Sequence, residues 1–329
     1  LIEKTTLEES LIQLIEDRLI HCSKQKDKNV GKQNFISRIL YYRSEQRIAE
    51  NIFRILKSKA YTNFQRESSL IEEQEKKVGL KLDLTQREAV SAVLNNKVLI
   101  VTGGPGTGKT TLVRFILGLM RPKIPSIGLA APTGRAAKRI TETTGTSSST
   151  IHRLLEASNV GFQRNRENPL DQELIIIDET SMIDTLLMDS LLEAIPSASR
   201  LIIVGDVDQL PSVGAGTVLQ DFIKSGSIPV VRLNHIFRQA YGSFITVNAH
   251  KVRLGEIPSV KKPSKHNDIK NQLQDYYFIE ESDQNKIVEK ILLLNTERIP
   301  QRFKLDPMKE IQVLTPMHRG ITGASQLNR

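Results

Sequence analysis

The chain is poor in residues that cross-link, stack or span. A single cysteine, Cys22, stands among 329 residues, which excludes an internal disulfide and any cysteine-rich zinc or iron–sulfur centre. A reducing cytoplasm is therefore the default compartment. Tryptophan is absent and aromatics reach only 5%, so ring stacking supplies little of any ligand affinity. Apolar runs stop at four residues, as at 174–177 and 201–204, far short of the ~20 that cross a bilayer, so no membrane partner is expected. The opening LIEKTTLEES has no basic segment leading into an apolar one, and it starts on Leu rather than Met. It reads as a piece of a longer chain.

What is present is ordinary globular material, with 39% apolar and 25% charged residues. The length suits about two domains or more. Net charge is +9, unevenly spread: residues 83–229 are nearly balanced, and the surplus lies in the flanks 1–82 and 230–329, as suits a polyanionic partner. Leu7, Leu11, Ile12, Leu14, Ile15 and Leu19 recur at helical spacing, as do Ile48, Ile52, Phe53, Ile55 and Leu56, predicting an N-terminal helical domain over 1–80. The polar stretch 21–34 between them reads as a solvated loop. From Leu84 the pattern changes to short apolar strands (98–102, 127–131, 174–178, 201–205) alternating with helical stretches, the mark of an α/β fold with a parallel sheet over 81–229. An excursion at 156–170 interrupts it, and a strand-like IQVLTP at 311–316 closes a last domain over 230–329.

The sharpest local pattern is VLIVTGGPGTGKTTLVRFIL, where Gly103, four residues and Gly108-Lys109-Thr110 fit GxxxxGK[ST] between a strand and a helix. Chance produces such a match in about one chain in a hundred of this length. Gly104, Pro105, Gly106, Thr107 and Gly108 form a loop that turns tightly enough to aim backbone N–H groups at phosphate oxygens. The positive end of the helix opened by Lys109, Thr110 and Thr111 lies behind it. Lys109 supplies a full charge, and Thr110 a hydroxyl for Mg²⁺. In ELIIIDETSM an apolar strand delivers Asp178 and Glu179 at its C-terminal end, where open α/β sheets place ligands. Asp178 would hold Mg²⁺ and Glu179 would orient or deprotonate water. The two patterns together predict ATP and Mg²⁺ as cofactors and a hydrolase as reaction class.

Further segments distinguish the chain from a generic phosphate-loop protein: LAAPTGRAAKRI (129–140), STIHRLL (149–155), IIIDETSMID (175–184), IIVGDVDQLPSVGAG (202–216), VVRLNHIFRQA (230–240) and IQVLTPMHRGITG (311–323). In order and spacing they resemble the motif set of RecD-like DNA helicases of superfamily 1B. YYRSEQRIAENI at 41–52 is similar to the lead-in of the stand-alone, N-terminally extended branch. The resemblance implies a P-loop NTPase with a RecA-like parallel sheet, an N-terminal helical domain and a partial second RecA-like domain. It implies a monomeric ATP-dependent 5′-to-3′ DNA helicase of DNA repair and recombination, whose partners are single-stranded DNA and the duplex-DNA fork.

Position by position, the resemblance implies that Gln86 reads the adenine edge, a helix-cap role being the competing reading. Gln209 senses the γ-phosphate, while Asp206 and Asp208 serve as supports or turn formers. Arg238 reaches in as an arginine finger. Pro132, Thr133, Gly134 and Arg135 follow a strand and open a helix, a geometry that grips one phosphate of DNA. Thr150 and His152 offer a hydroxyl and an imidazole on one face if extended, with a core histidine as the alternative for His152. Thr315, Pro316 and Arg319 resemble a DNA-facing loop of the second motor domain. A fork-splitting hairpin is expected within 156–170, with VGFQRNREN exposing Gly161-Phe162, Arg164 and Arg166. The family's last motifs would follow Arg329, so this stretch is expected to bind nucleotide, turn it over poorly and not unwind DNA. A nucleotide-gated DNA clamp and an RNA-directed helicase stand as alternatives; a small-molecule kinase is disfavoured because nothing resembles a lid or acceptor pocket.

Overall fold

The computed structural model describes residues 4–27, 31–62, 64, 67–234, 243–259 and 275–328. It falls into two compact units, Leu1–Gly242 and Ser243–Arg329. The first is built on a six-stranded sheet made of β3 (Val98–Gly103), β4 (Ile127–Ala131), β5 (Ser149–Thr150), β8 (Leu174–Ile177), β9 (Arg200–Gly205) and β10 (Val230–Leu233). Their order across the sheet is β10-β3-β9-β8-β4-β5, and every pairing is parallel. Helices cover both faces, which is why the strands read as continuous apolar runs instead of alternating ones. Along β3, Leu99 and Val101 enter one core with α4 (Leu84–Asn95), α5 (Lys109–Met120) and α6 (Gly134–Thr144). Val98 and Ile100 enter the other, with α2 (Ile39–Lys57), α8 (Thr185–Ala194) and α9 (Val218–Ser225).

The N-terminal segment is not a separate body. Ile48, Ile52 and Ile55 form the buried stripe of α2 and join the same core as β8 and α8. Polar ties reinforce the apolar one. Arg47 pairs with the buried Asp189 of α8, and Arg54 donates to the carbonyls of Leu192 and Ile195 at 2.8 Å each, caught at the C-terminal end of α8. After α1 (Lys4–Glu16), the expected loop over 21–34 is instead an antiparallel hairpin, β1 (Ile20–Asp27) with β2 (Gly31–Arg38). Residues 21–34 are almost wholly polar and carry no apolar alternation, so the sequence has no periodic signal of this hairpin.

The boundary expected at 229/230 also falls elsewhere. Val230–Leu233 is an edge strand of the first sheet beside β3, not the start of a second one. Within the second unit the described residues form helices Phe244–Arg253, Gln284–Leu293, Ile299–Phe303 and Ala324–Leu327 with a π turn at Leu294–Arg298, and no strand. The expected strand at 311–316 has no pairing partner among the described residues of the unit.

Candidate functional site

The loops that follow β3, β8, β9 and β4 all leave the C-terminal edge of the sheet, and three of them meet. After β3 the chain turns through Gly106 (φ 78°) and Gly108 (φ 80°), left-handed positions that glycine occupies without the Cβ penalty. Gly103 is required for a different reason: a Cβ there would stand 2.9 Å from the Leu233 carbonyl oxygen and 2.7 Å from Thr107 Oγ1. Thr107 in turn donates to the Gly104 carbonyl at 2.8 Å, closing the loop on itself. Lys109 opens α5 and its ammonium donates to the carbonyls of Gly103 (2.5 Å) and Gly104 (3.1 Å), which holds the charge inside the cradle.

β8 carries Asp178 and Glu179 to the same place. Asp178 is 6% exposed, and its carboxylate accepts the Glu179 N–H at 2.8 Å. Burial pushes its pKa up to about 6; the Glu179 charge adds to this, and that N–H, Lys109 and Arg139 oppose it. Glu179 sits at φ 54°, an uncommon left-handed position for a residue with a side chain, and opens the 3-10 turn Thr180–Met182. Thr180 fastens that turn by donating to the Val204 carbonyl of β9 at 2.9 Å. After β9, Asp206 accepts the Asp208 N–H at 3.0 Å, a turn-forming role, and Gln209 follows with its Oε1 3.5 Å from Ser181 Oγ.

A cleft of about 360 Å³ is lined by Gly104, Pro105, Gly106, Thr107, Gly108, Lys109, Thr110 and Thr111, by Asp178, Glu179 and Gln209, and by Arg139 and neighbours on α6. Among the described residues, no three His, Cys, Asp or Glu side chains gather to hold a metal. One hydroxyl (Thr110) and one carboxylate (Asp178) are what Mg²⁺ needs when substrate phosphates complete its shell. Glu179 Oε2 is buried without a hydrogen-bond partner among the described residues, an acceptor left for a ligand or water. The residues fit a magnesium-bound triphosphate.

Gln86 does not line this cleft. It is 2% exposed and closes a capping box with Asp83: its N–H donates to Asp83 Oδ1 at 2.8 Å and its Oε1 accepts the Asp83 N–H at 3.3 Å. Arg238 lies outside the described residues. Sequence reasoning passed over Arg139, although Ala136, Arg139, Ile140 and Thr143 share the helical spacing that reveals a common face.

The segments expected to face DNA divide between the units. Ala131 pairs with Thr150, so 132–135 and 150–152 leave neighbouring strands at one edge. Thr133 caps α6, accepting the Ala136 N–H at 3.2 Å. Thr150 and His152 are not extended together: Thr150 caps the short helix α7 (Ile151–Leu154), because its hydroxyl satisfies the otherwise orphan Arg153 N–H. His152 is exposed beside the Phe162 ring at 5.6 Å, not a core residue. The hairpin in 156–170 is shorter and earlier than expected, pairing Ala157–Ser158 with Gly161–Phe162 around a tip where Val160 is exposed. Arg166 is exposed as expected, but Arg164 is held by Glu156 at 2.9 Å and Asp171 at 3.3 Å. Thr315, Pro316 and Arg319 belong to the second unit, where Thr315 Oγ1 donates to the Thr322 carbonyl at 2.8 Å.

The AAA domain family matches residues 86–215. The ATP-dependent RecD2 DNA helicase of Deinococcus radiodurans is 34% identical over 253 residues, which is 77% of this chain and 32% of that protein. In sequence the chain is thus similar to RecD-like helicases. Another RecD-like relative, the RecBCD enzyme subunit RecD of Mycolicibacterium smegmatis, is 36% identical over 52% of this chain and 35% of its own length. This chain thus spans about a third of the length of each of these two relatives. Among solved structures, the Pif1 helicase of Candida albicans overlaps it in part, at 26% identity and TM-score 0.42 over 56% of this chain and 49% of that one.

Proposed function

We propose that this chain carries the nucleotide-hydrolysing core of an ATP-dependent 5′-to-3′ DNA helicase of the stand-alone RecD-like type. The observation that carries this reading is the convergence of Lys109, Thr110, Asp178, Glu179 and Gln209 on one cleft. Lys109 and the loop N–H groups bind the phosphates, and Thr110 and Asp178 hold Mg²⁺, which as a Lewis acid neutralises charge on the oxygens in transfer. Glu179 orients the attacking water and accepts its proton. Gln209, an uncharged amide able to exchange partners, reports the γ-phosphate to the DNA-facing segments. By the family resemblance alone, Arg238 adds charge stabilisation. Pro132, Thr133, Gly134, Arg135, Thr150 and His152 contact phosphates of single-stranded DNA in the first unit, Thr315, Pro316 and Arg319 do so in the second, and the hairpin around Val160 meets the duplex fork. The polarity and the monomeric state come from the family resemblance, and the RecD2 match over 77% of this chain supports the stand-alone branch.

Because this stretch alone is expected to turn ATP over poorly, the test is ATP turnover by a chain that also carries the family's last motifs, with and without single-stranded DNA, and with RNA of equal length. DNA should stimulate turnover more than RNA does. Glu179→Gln should still bind Mg-ATP while turnover falls at least about 100-fold. Turnover indifferent to any polynucleotide would contradict the reading, and DNA affinity gated by ATP without turnover would favour a clamp instead.

A further inference from the structure

Besides Lys109, the cleft is lined by a second cation, Arg139. Helix α6 turns Ala136, Arg139, Ile140 and Thr143 toward the phosphate loop, a single stripe at helical spacing. The helix is well anchored: Thr133 caps its start, and Ala137 and Ile140 are buried at 5% and 2% exposure. Arg139 rides on this rigid support. It is exposed, and among the described residues its side chain makes no ion pair or hydrogen bond. Its neighbour Lys138 is different, since it lies outside the cleft lining and within 3.9 Å of Glu142 on its own helix. An arginine without a carboxylate partner, held over a glycine loop that already carries Lys109, is a group left for an anion.

The charge balance points the same way. A triphosphate bears more negative charge than Mg²⁺ and Lys109 neutralise, and Asp178 and Glu179 add two carboxylates to the cleft. A guanidinium presents a planar fork that engages phosphate oxygens in pairs, which an ammonium does not. We propose that Arg139 is a second phosphate-binding cation of this cleft, supplied by the same unit as the phosphate loop and contacting the bound triphosphate directly. This rests on the nucleotide reading above and adds to it a residue that the motif pattern leaves unassigned.

The experiment is equilibrium titration of a fluorescent ATP analogue, with Mg²⁺, into the chain and into Lys109→Ala, Arg139→Ala, Arg139→Lys and Lys138→Ala variants. Unlabelled ATP, ADP and AMP serve as competitors, and thermal unfolding confirms that each variant folds. Arg139→Ala should weaken the triphosphate about 10- to 100-fold, the range of a hydrogen bond to a charged group, and change AMP affinity much less. Arg139→Lys should recover part of the loss, and Lys138→Ala should bind like the parent. A purely structural role would lower all three nucleotides alike and overturn the proposal. If Lys109→Ala loses affinity while Arg139→Ala keeps it, the proposal fails and the nucleotide site stands. If the parent chain binds no nucleotide, both fail.

Discussion

Asp178 is where the chemistry of the cleft and the stability of the fold meet at a single residue. Its folded pKa, about 6, lies above the ordinary 3.8, so between those values the folded state holds a proton that the unfolded chain has released. Stability therefore falls as pH rises from 3.8 toward 6, and the cost of the buried charge is fully present above that window. Asp178→Asn, neutral throughout, should raise the urea unfolding free energy at pH 7 by about 2–3 kcal/mol while removing the Mg²⁺-dependent part of nucleotide affinity. A variant no more stable than the parent would contradict the burial argument. The same proton works against metal binding, so Mg²⁺-dependent affinity for ATP should decline as pH drops through about 6, and in Asp178→Asn that decline should be absent.

At the scale of elements, the account turns on which contacts are filled and which are left open. Gly103 lies where β3, the phosphate loop and β10 touch, and Gly103→Ala should destabilise the chain by about 1–3 kcal/mol, since the Leu233 carbonyl is backbone and cannot swing away. Docking of α2 is apolar first. Ile55 is 0% exposed against β8 and α8, so Ile55→Ala should cost about 2–5 kcal/mol in urea unfolding, whereas Ile12→Ala, at a position 57% exposed, should stay within about 0.5 kcal/mol. Equal effects at the two positions would contradict the burial of α2 on the sheet.

These contacts also show what the sequence could and could not disclose. The phosphate loop is legible because its chemistry is local: two glycines, a lysine and a threonine at fixed spacing between a strand and a helix. Asp178 and Glu179 are legible because an apolar strand has a definite end. The β1–β2 hairpin is not, because its almost wholly polar sequence carries no hydrophobic period. The allegiance of Val230–Leu233 is not, because an edge strand chooses its partner across more than a hundred residues. Gln86 fits a nucleotide role and a helix cap equally well by type, and its partner Asp83 is what shows the cap. Arg139 is missed because its stripe acquires meaning only once α6 is known to lie against the cleft.

For the molecule as a whole, charge and composition set the manner of binding. Basic flanks around a balanced centre, no tryptophan and few aromatic residues leave phosphate contacts to carry the proposed DNA affinity. Binding of single-stranded DNA should therefore weaken steeply with salt, by at least about tenfold between 50 and 200 mM, and differ little among base compositions. A shallow salt slope with strong base preference would argue for stacking instead.

The central claim is that one cleft, with Lys109 and Asp178 on its walls, binds a magnesium-bound triphosphate. Calorimetric titration of ATP into this chain, with and without Mg²⁺, and into Lys109→Ala and Asp178→Asn, tests it most directly. Saturable binding at one site that strengthens with Mg²⁺ is expected, with loss of affinity in Lys109→Ala and loss of the Mg²⁺ effect alone in Asp178→Asn. Binding indifferent to both substitutions would contradict it.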